Sequence, residues 1–106
     1  MLVLQLMGLV SGQYSPAAGQ YLVSYDPDGR GGRGSVVTTA DPRKAKLFSN
    51  TAEVAALYRA VSTVLPTRVD GNPNRPLTAF VVVIAPLVGA LEDVEREKRK
   101  RQPSFM

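Results

Sequence analysis

Histidine and cysteine, two residue types that carry much of protein chemistry, are both missing from this chain of 106 residues, and tryptophan is missing with them. Without thiols there is no disulfide framework and no thiolate metal site, and the chain suits a reducing compartment. Without imidazole there is no histidine base and no Ser-His-Asp relay, and the usual zinc ligands are absent. Catalysis would have to rest on carboxylate, lysine, tyrosine or serine, so the chain reads as a non-enzyme with no metal and no cofactor. Long apolar runs are scarce too. The opening "MLVLQLMGLV" falls well short of the ~20 residues a bilayer crossing needs. It has no positive n-region and no A-x-A site follows it, so a first strand or docking segment is expected and no membrane partner.

What is present is ordinary globular material: 44% hydrophobic and 21% charged residues, enough for one domain with a modest core. The formal net charge is +4, and residues 13–88 carry eight basic and five acidic side chains. That excess favours an anionic partner through long-range attraction.

Three segments read as strands. "YLVSY" (21–25) and "SVVTT" (35–39) are β-branched and aromatic, separated by a glycine-rich run that reads as a long, mobile hairpin tip. Tyr21 and Tyr25, an even number of positions apart, are expected on one strand face. "LTAFVVVIAPL" (77–87) is a near-continuous β-branched run, the pattern of a central strand buried on both faces. Asp41-Pro42 predicts a short capped turn, and "AKLF" (45–48) a brief strand or tight connection. Asn50 and Glu53 form a variant capping box for a helix with Val54, Leu57, Tyr58, Val61 and Leu65 on one face, running to about Val64 before Pro66. From residue 89 the chain becomes a charged helical tail, with Glu92–Arg96, Glu95–Arg99 and Glu97–Arg101 spaced as i,i+4 pairs. The expected architecture is a single α+β domain over 1–88: a small, mainly antiparallel sheet of three or four strands with one main helix on it. A charged C-terminal helix over 89–106 follows. An open sheet edge in such a fold is closed by the N-terminal segment or by a homo-dimer contact.

The run "DGRGGRGSV" (28–36) matches G-x-G-x-x-G letter for letter, yet its context removes each nucleotide reading. A dinucleotide fingerprint leads into a helix, whereas this one leads into "SVVTT". A kinase loop needs H-R-D and D-F-G, which are missing. A calcium loop starting at Asp26 would place Arg30 and Val37 where oxygen ligands belong. Two readings survive: a soluble hairpin tip, or a phosphate- or RNA-gripping loop in which Arg30 and Arg33 act as bidentate donors.

Two other stretches present polar groups. "DGNPNRPLTAF" (70–80) has a backbone fixed by its prolines and offers Asn72 and Arg75. "REKRKR" offers Arg96, Lys98, Arg99, Lys100 and Arg101 as phosphate contacts that read no sequence, or else as a solvated helix end.

The stretch from Tyr21 to Phe48, the helix around "AEVAALYRAV" and "RVDGNPNRPLTAFVVVIAPL" together resemble a group of small bacteriophage and prophage proteins. Their marks are Y-D-P-D-x-G, of which Y-D-P-D stands at 25–28 with the glycine one position early at Gly29, T-x-D (39–41), A-x-x-F (45–48) and D-G-x-P-N-R-P-L-T-A-F (70–80), within roughly residues 19–87. The resemblance implies a phage or mobile-element origin and the cytoplasm of a bacterial host, and it transfers no catalytic residues. The expected function is that of a non-enzymatic accessory protein that binds a host or phage macromolecule, host takeover or inhibition of a defence system included. The alternative is a module that binds nucleic acid without sequence preference through the Arg/Gly loop and basic tail.

Overall fold

The protein, seen in a computed structural model, is described over residues 1–101, with side chains to Arg96. Its frame is a four-stranded antiparallel sheet in the order β3-β2-β1-β4, from β1 (Leu2–Leu9), β2 (Tyr21–Asp26), β3 (Ser35–Thr39) and β4 (Phe80–Pro86). The helices are a single short turn α1 (Gly29–Gly32), α2 (Thr51–Tyr58) and α3 (Leu87–Arg101). The expected small α+β fold is what forms.

The apolar N-terminal run is the interior strand. Val3, Leu4 and Leu6 of β1 have no exposed surface, and full burial of such a side chain contributes roughly 1.5–3 kcal/mol. Alternation sends Leu4 and Leu6 to a face shared with Leu22, Phe48, Val54 of α2 and Leu77. Val3 goes to the other face with Tyr21, Ala45 and Ala90 of α3. Both faces of β1 are therefore covered by a helix.

β4 occupies the position that its sequence argued against. The expectation of a central strand buried on both faces is overturned: among the described residues β4 pairs with β1 alone and is a sheet edge. Val81, Val83 and Ile84 are 49%, 44% and 41% exposed. A β-branched run reports affinity for a pleated apolar surface, not a place in the strand order, and the interior place went to the leucine-rich β1. Residues 76–79 form a 3-10 turn ahead of the strand.

Local signals were obeyed where their partners are close in sequence. The Asp41 carboxylate accepts from Arg43 N at 3.0 Å and caps the 3-10 turn Pro42–Lys44. Asn50 Oδ1 accepts from Glu53 N at 3.0 Å, while Glu53 reaches back to Ser49 N rather than to Asn50. Phe48 makes a two-bond bridge to Leu2, which places the A-x-x-F element against β1.

Two expectations about side-chain placement fail for identifiable reasons. A register shift between Leu22 and Ser24 inserts one extra residue, which flips the rest of the strand to the opposite side. Tyr21 consequently packs with Val3, and Tyr25 packs on the Leu4 side. Arg96 pairs with Asp93 at 3.1 Å, one position closer than Glu92. The Glu95–Arg99 and Glu97–Arg101 pairs lie outside the described side chains. On α3, Leu87, Ala90 and Val94 face the sheet. Among the described residues no helix is long and apolar enough to cross a membrane.

Candidate functional site

The glycine run is anchored rather than free, and Asp28 is the main anchor. Its carboxylate accepts from Ser62 Oγ (2.9 Å), Thr63 N (2.6 Å), Thr63 Oγ1 (2.7 Å) and Val64 N (3.2 Å). These bonds, the Thr63 and Ser62 hydroxyls first among them, hold its carboxyl down to about 2, because each donor stabilises the charged form. They also explain why α2 stops at Tyr58 instead of continuing to Val64. The amides of Thr63 and Val64 are taken by a side chain 35 and 36 positions away, and Ser62 N donates to Asn74 O. Val61 and Leu65, expected on the buried stripe, are 36% and 47% exposed.

Asn74 is the second anchor. Its Nδ2 donates to Gly32 O (2.6 Å) and to Leu65 O (2.8 Å), and its backbone N–H donates to Pro66 O. Tyr25 completes the frame by accepting from Leu77 N at 3.0 Å through its hydroxyl. Burial first, opposed in part by that bond, pushes the Tyr25 phenol up. Three loops, 28–34, 59–66 and 72–77, are thus tied into one platform. The mobile hairpin tip expected from the sequence is replaced by this braced junction. Two of its glycines are required. Gly32 has φ +93° and a Cβ there would lie 2.4 Å from Leu65 Cβ; Gly34 has φ +85° and would meet Pro76 Cβ at 2.4 Å.

On this platform sit the arginines. Arg30 and Arg33 are exposed, and Arg30 holds a left-handed conformation at φ 56°, ψ 41°, which costs a non-glycine residue roughly 1–2 kcal/mol. Two adjoining depressions of ≈ 580 Å³ and ≈ 510 Å³ share Leu9, Arg33, Pro76 and Ala79. Arg30, Tyr25, Gln20 and Thr38 line the first; Arg68, Arg75, Gln13 and Asn74 line the second. Among the described residues no carboxylate lines either one. Among the described residues Arg30, Arg33 and Arg75 make no ion pair, while Arg68 leans on Asp70 at 3.8 Å.

The structure therefore brings Arg30, Arg33 and Arg75 to one cleft and adds Arg68, which sequence reasoning did not select. Asn72 lies outside the lining. It donates its backbone N–H to Asp70 and accepts from Arg68 N in the turn beyond. Arg96 belongs to α3 and is engaged with Asp93. The side chains of Lys98, Arg99, Lys100 and Arg101 lie outside the described residues. Asn74 and Asp28 were missed because their partners are distant in sequence. Only the Asn-Arg-Pro spelling at 74–76 hinted that the loop was specified.

Three of the aspartates are committed to local structure. Asp26 accepts from Asp28 N, Asp41 caps its turn, and Asp70 accepts from Asn72 N. Among the described residues no three acidic groups gather where they would hold a metal ion. Comparisons with known protein families, with curated proteins and with solved structures return no match for the chain.

Proposed function

We propose that this chain is a non-enzymatic binding protein of bacteriophage or prophage origin, working in the bacterial cytoplasm by occupying a surface of a host or phage macromolecule. The arginine cleft is its contact face. One observation carries this reading: four arginines rim two joined depressions that no carboxylate of the described residues lines, on a platform locked by Asp28 and Asn74. Arginine forks grip carboxylates and phosphates bidentately, and a rigid platform reduces the ordering cost of binding. The strained backbone at Arg30 supports the same view, since glycine would relax it and the side chain is kept nonetheless. The phage resemblance supplies the biological setting, and inhibition of a host system by surface occupation falls within it.

A second reading, a nucleic-acid backbone as the anion, is favoured by Tyr14. It is 88% exposed between Gln13 and Ser15, which line the two depressions, and an exposed ring is a stacking platform for an unpaired base.

Replacing Arg30 and Arg33 together by Ala is expected to abolish partner capture while stability moves by no more than ~0.5 kcal/mol, as at other exposed positions. The measurement is an affinity pull-down of wild type and double variant from host cells, with and without nuclease, read by mass spectrometry. A stoichiometric protein lost only in the variant supports the first reading. Capture abolished by nuclease, with affinity falling steeply in salt, supports the second. Capture that the double variant leaves unchanged rules out the cleft under both.

A further inference from the structure

We propose that β4 is a homodimerisation edge: two copies of this chain pair antiparallel about a twofold axis at Val83, joining two four-stranded sheets into one of eight strands. The support is the pattern of backbone groups left open on the outer side of β4. Leu87 donates its N–H to Met1 O and Val10 donates to Ala79 O. With the pairs Val3–Ala85, Gln5–Val83 and Gly8–Val81, this turns the amides of residues 81, 83 and 85 toward β1. Those of Val82 and Ile84 face outward, where no described residue meets them.

The open stretch is closed at both ends. Phe80 donates its N–H to Leu77 O and its carbonyl accepts from the Tyr58 hydroxyl at 3.0 Å, while Pro86 has no N–H to give. What remains is two residues, each with one free donor and one free acceptor, symmetric about Val83. Such a pattern is complementary to itself. Antiparallel pairing of Val82 with Ile84 of a second copy, and of Ile84 with its Val82, satisfies every one of these groups with four hydrogen bonds. The two Val83 side chains then stand opposite each other as a close, non-hydrogen-bonded pair.

The side chains agree with this pairing. From Leu77 to Leu91 the chain carries no charge, so two copies of the edge do not repel. Val81, Val83 and Ile84, between 41% and 49% exposed, would be covered by their own counterparts. Protected edges usually carry a lysine, an internal proline or a bulge. β4 has none of these, and the irregularity of the β1–β4 pair falls on the β1 side, at Met7. The helices leave the edge open, because α3 crosses from β4 over β1 toward Pro42–Lys44. This inference is independent of the arginine cleft, whose lining includes neither Val82, Val83 nor Ile84.

Sedimentation equilibrium of the full chain is expected to show a reversible monomer–dimer system, with the Val82 and Ile84 amides gaining hydrogen-exchange protection as concentration rises. V83K and V83E each place like charges at the axis and are expected to raise the dissociation constant at least ~10-fold, with an unchanged circular dichroism spectrum. Mixing the two in equal amounts should restore the dimer, a result only a twofold at residue 83 gives. I84P removes an outward N–H without touching the β1 ladder and should be monomeric. A wild-type chain that stays monomeric at every concentration overturns the proposal. So does a dimer that tolerates V83K and I84P equally, or one that the mixture fails to restore.

Discussion

Gly32→Ala is expected to destabilise the fold by about 3 kcal/mol, a large share of the roughly 5–15 kcal/mol that holds a domain of this size together. Two costs add. Alanine at φ +93° leaves the conformations open to L-residues, at roughly 1–2 kcal/mol. Its Cβ would also lie 2.4 Å from Leu65 Cβ and 3.2 Å from Leu65 N, so backbone as well as side chain must move, which in packed sites costs roughly 1–3 kcal/mol. The neighbouring Gly31 is the control. It too has a positive φ, +68°, but nothing lies within 4 Å of an added Cβ, so Gly31→Ala should cost only about 1 kcal/mol. Urea denaturation of the two variants separates the readings. A flexible glycine linker would respond weakly and alike to both changes; a braced junction responds mainly at Gly32. Because Leu65 O also receives the Asn74 amide, the larger change should weaken partner binding at the cleft, even at temperatures where the chain remains folded.

The parts of this fold that were legible in the sequence are those whose physics closes within a few residues. Asp41 and Asn50 announce their caps because the amides they accept lie two and three positions on. The strands 21–26 and 35–39 follow from β-branched density, and the α3 stripe in part from the spacing of Leu87, Leu91 and Val94: Leu87 and Val94 pack on the sheet, with Ala90 as the buried residue between them. What could not be read depends on distant partners. The end of α2 is set by Asp28, an acceptor that no local pattern associates with Thr63. Strand order depends on which apolar run covers both faces best, and the β-branched run at 80–86 gave no hint that leucines at 2–9 would take the interior. The bulge at Val23 reversed the placement of Tyr25, since one inserted residue changes the parity of everything after it.

The candidate site shows the same division. Arg30 and Arg33 stood out by composition and Arg75 by its proline frame, and all three reached the cleft. Arg68 carries no such signal, since nothing in its own neighbourhood shows that the loop at 66–76 folds back beside Leu9 and Val10. The tail arginines, conspicuous as a basic run, begin on a helix packed against the opposite face of the sheet from α2.

Asp28→Ala is the second change with a large expected effect, and it should act on stability and on the cleft together. It removes the acceptor for two hydroxyls and two backbone amides at once. The Ser62 hydroxyl, on a residue whose surface is wholly buried, would keep only the bond it accepts from Leu65 N, and a buried polar group left short of partners is costly. A fall in melting temperature on the order of 10 °C is expected for a domain of this size. Asp28→Asn should fall between, since its amide oxygen can still accept while its NH₂ opposes the Thr63 hydroxyl only until that hydroxyl turns to accept. The pH profile distinguishes a working carboxylate from a merely bulky one. The carboxyl is held down to about 2 in the folded protein, below its ordinary value when unfolded. The unfolded chain therefore binds the proton first, and the stabilisation is fully present above the ordinary carboxylate range. It is lost as pH falls from that range toward 2. Wild type should consequently lose stability across that window more steeply than Asp28→Asn, and the two curves should converge at the acid end. Parallel curves would mean that the charge of Asp28 does not hold the junction, and that shape alone positions Arg30 and Arg33.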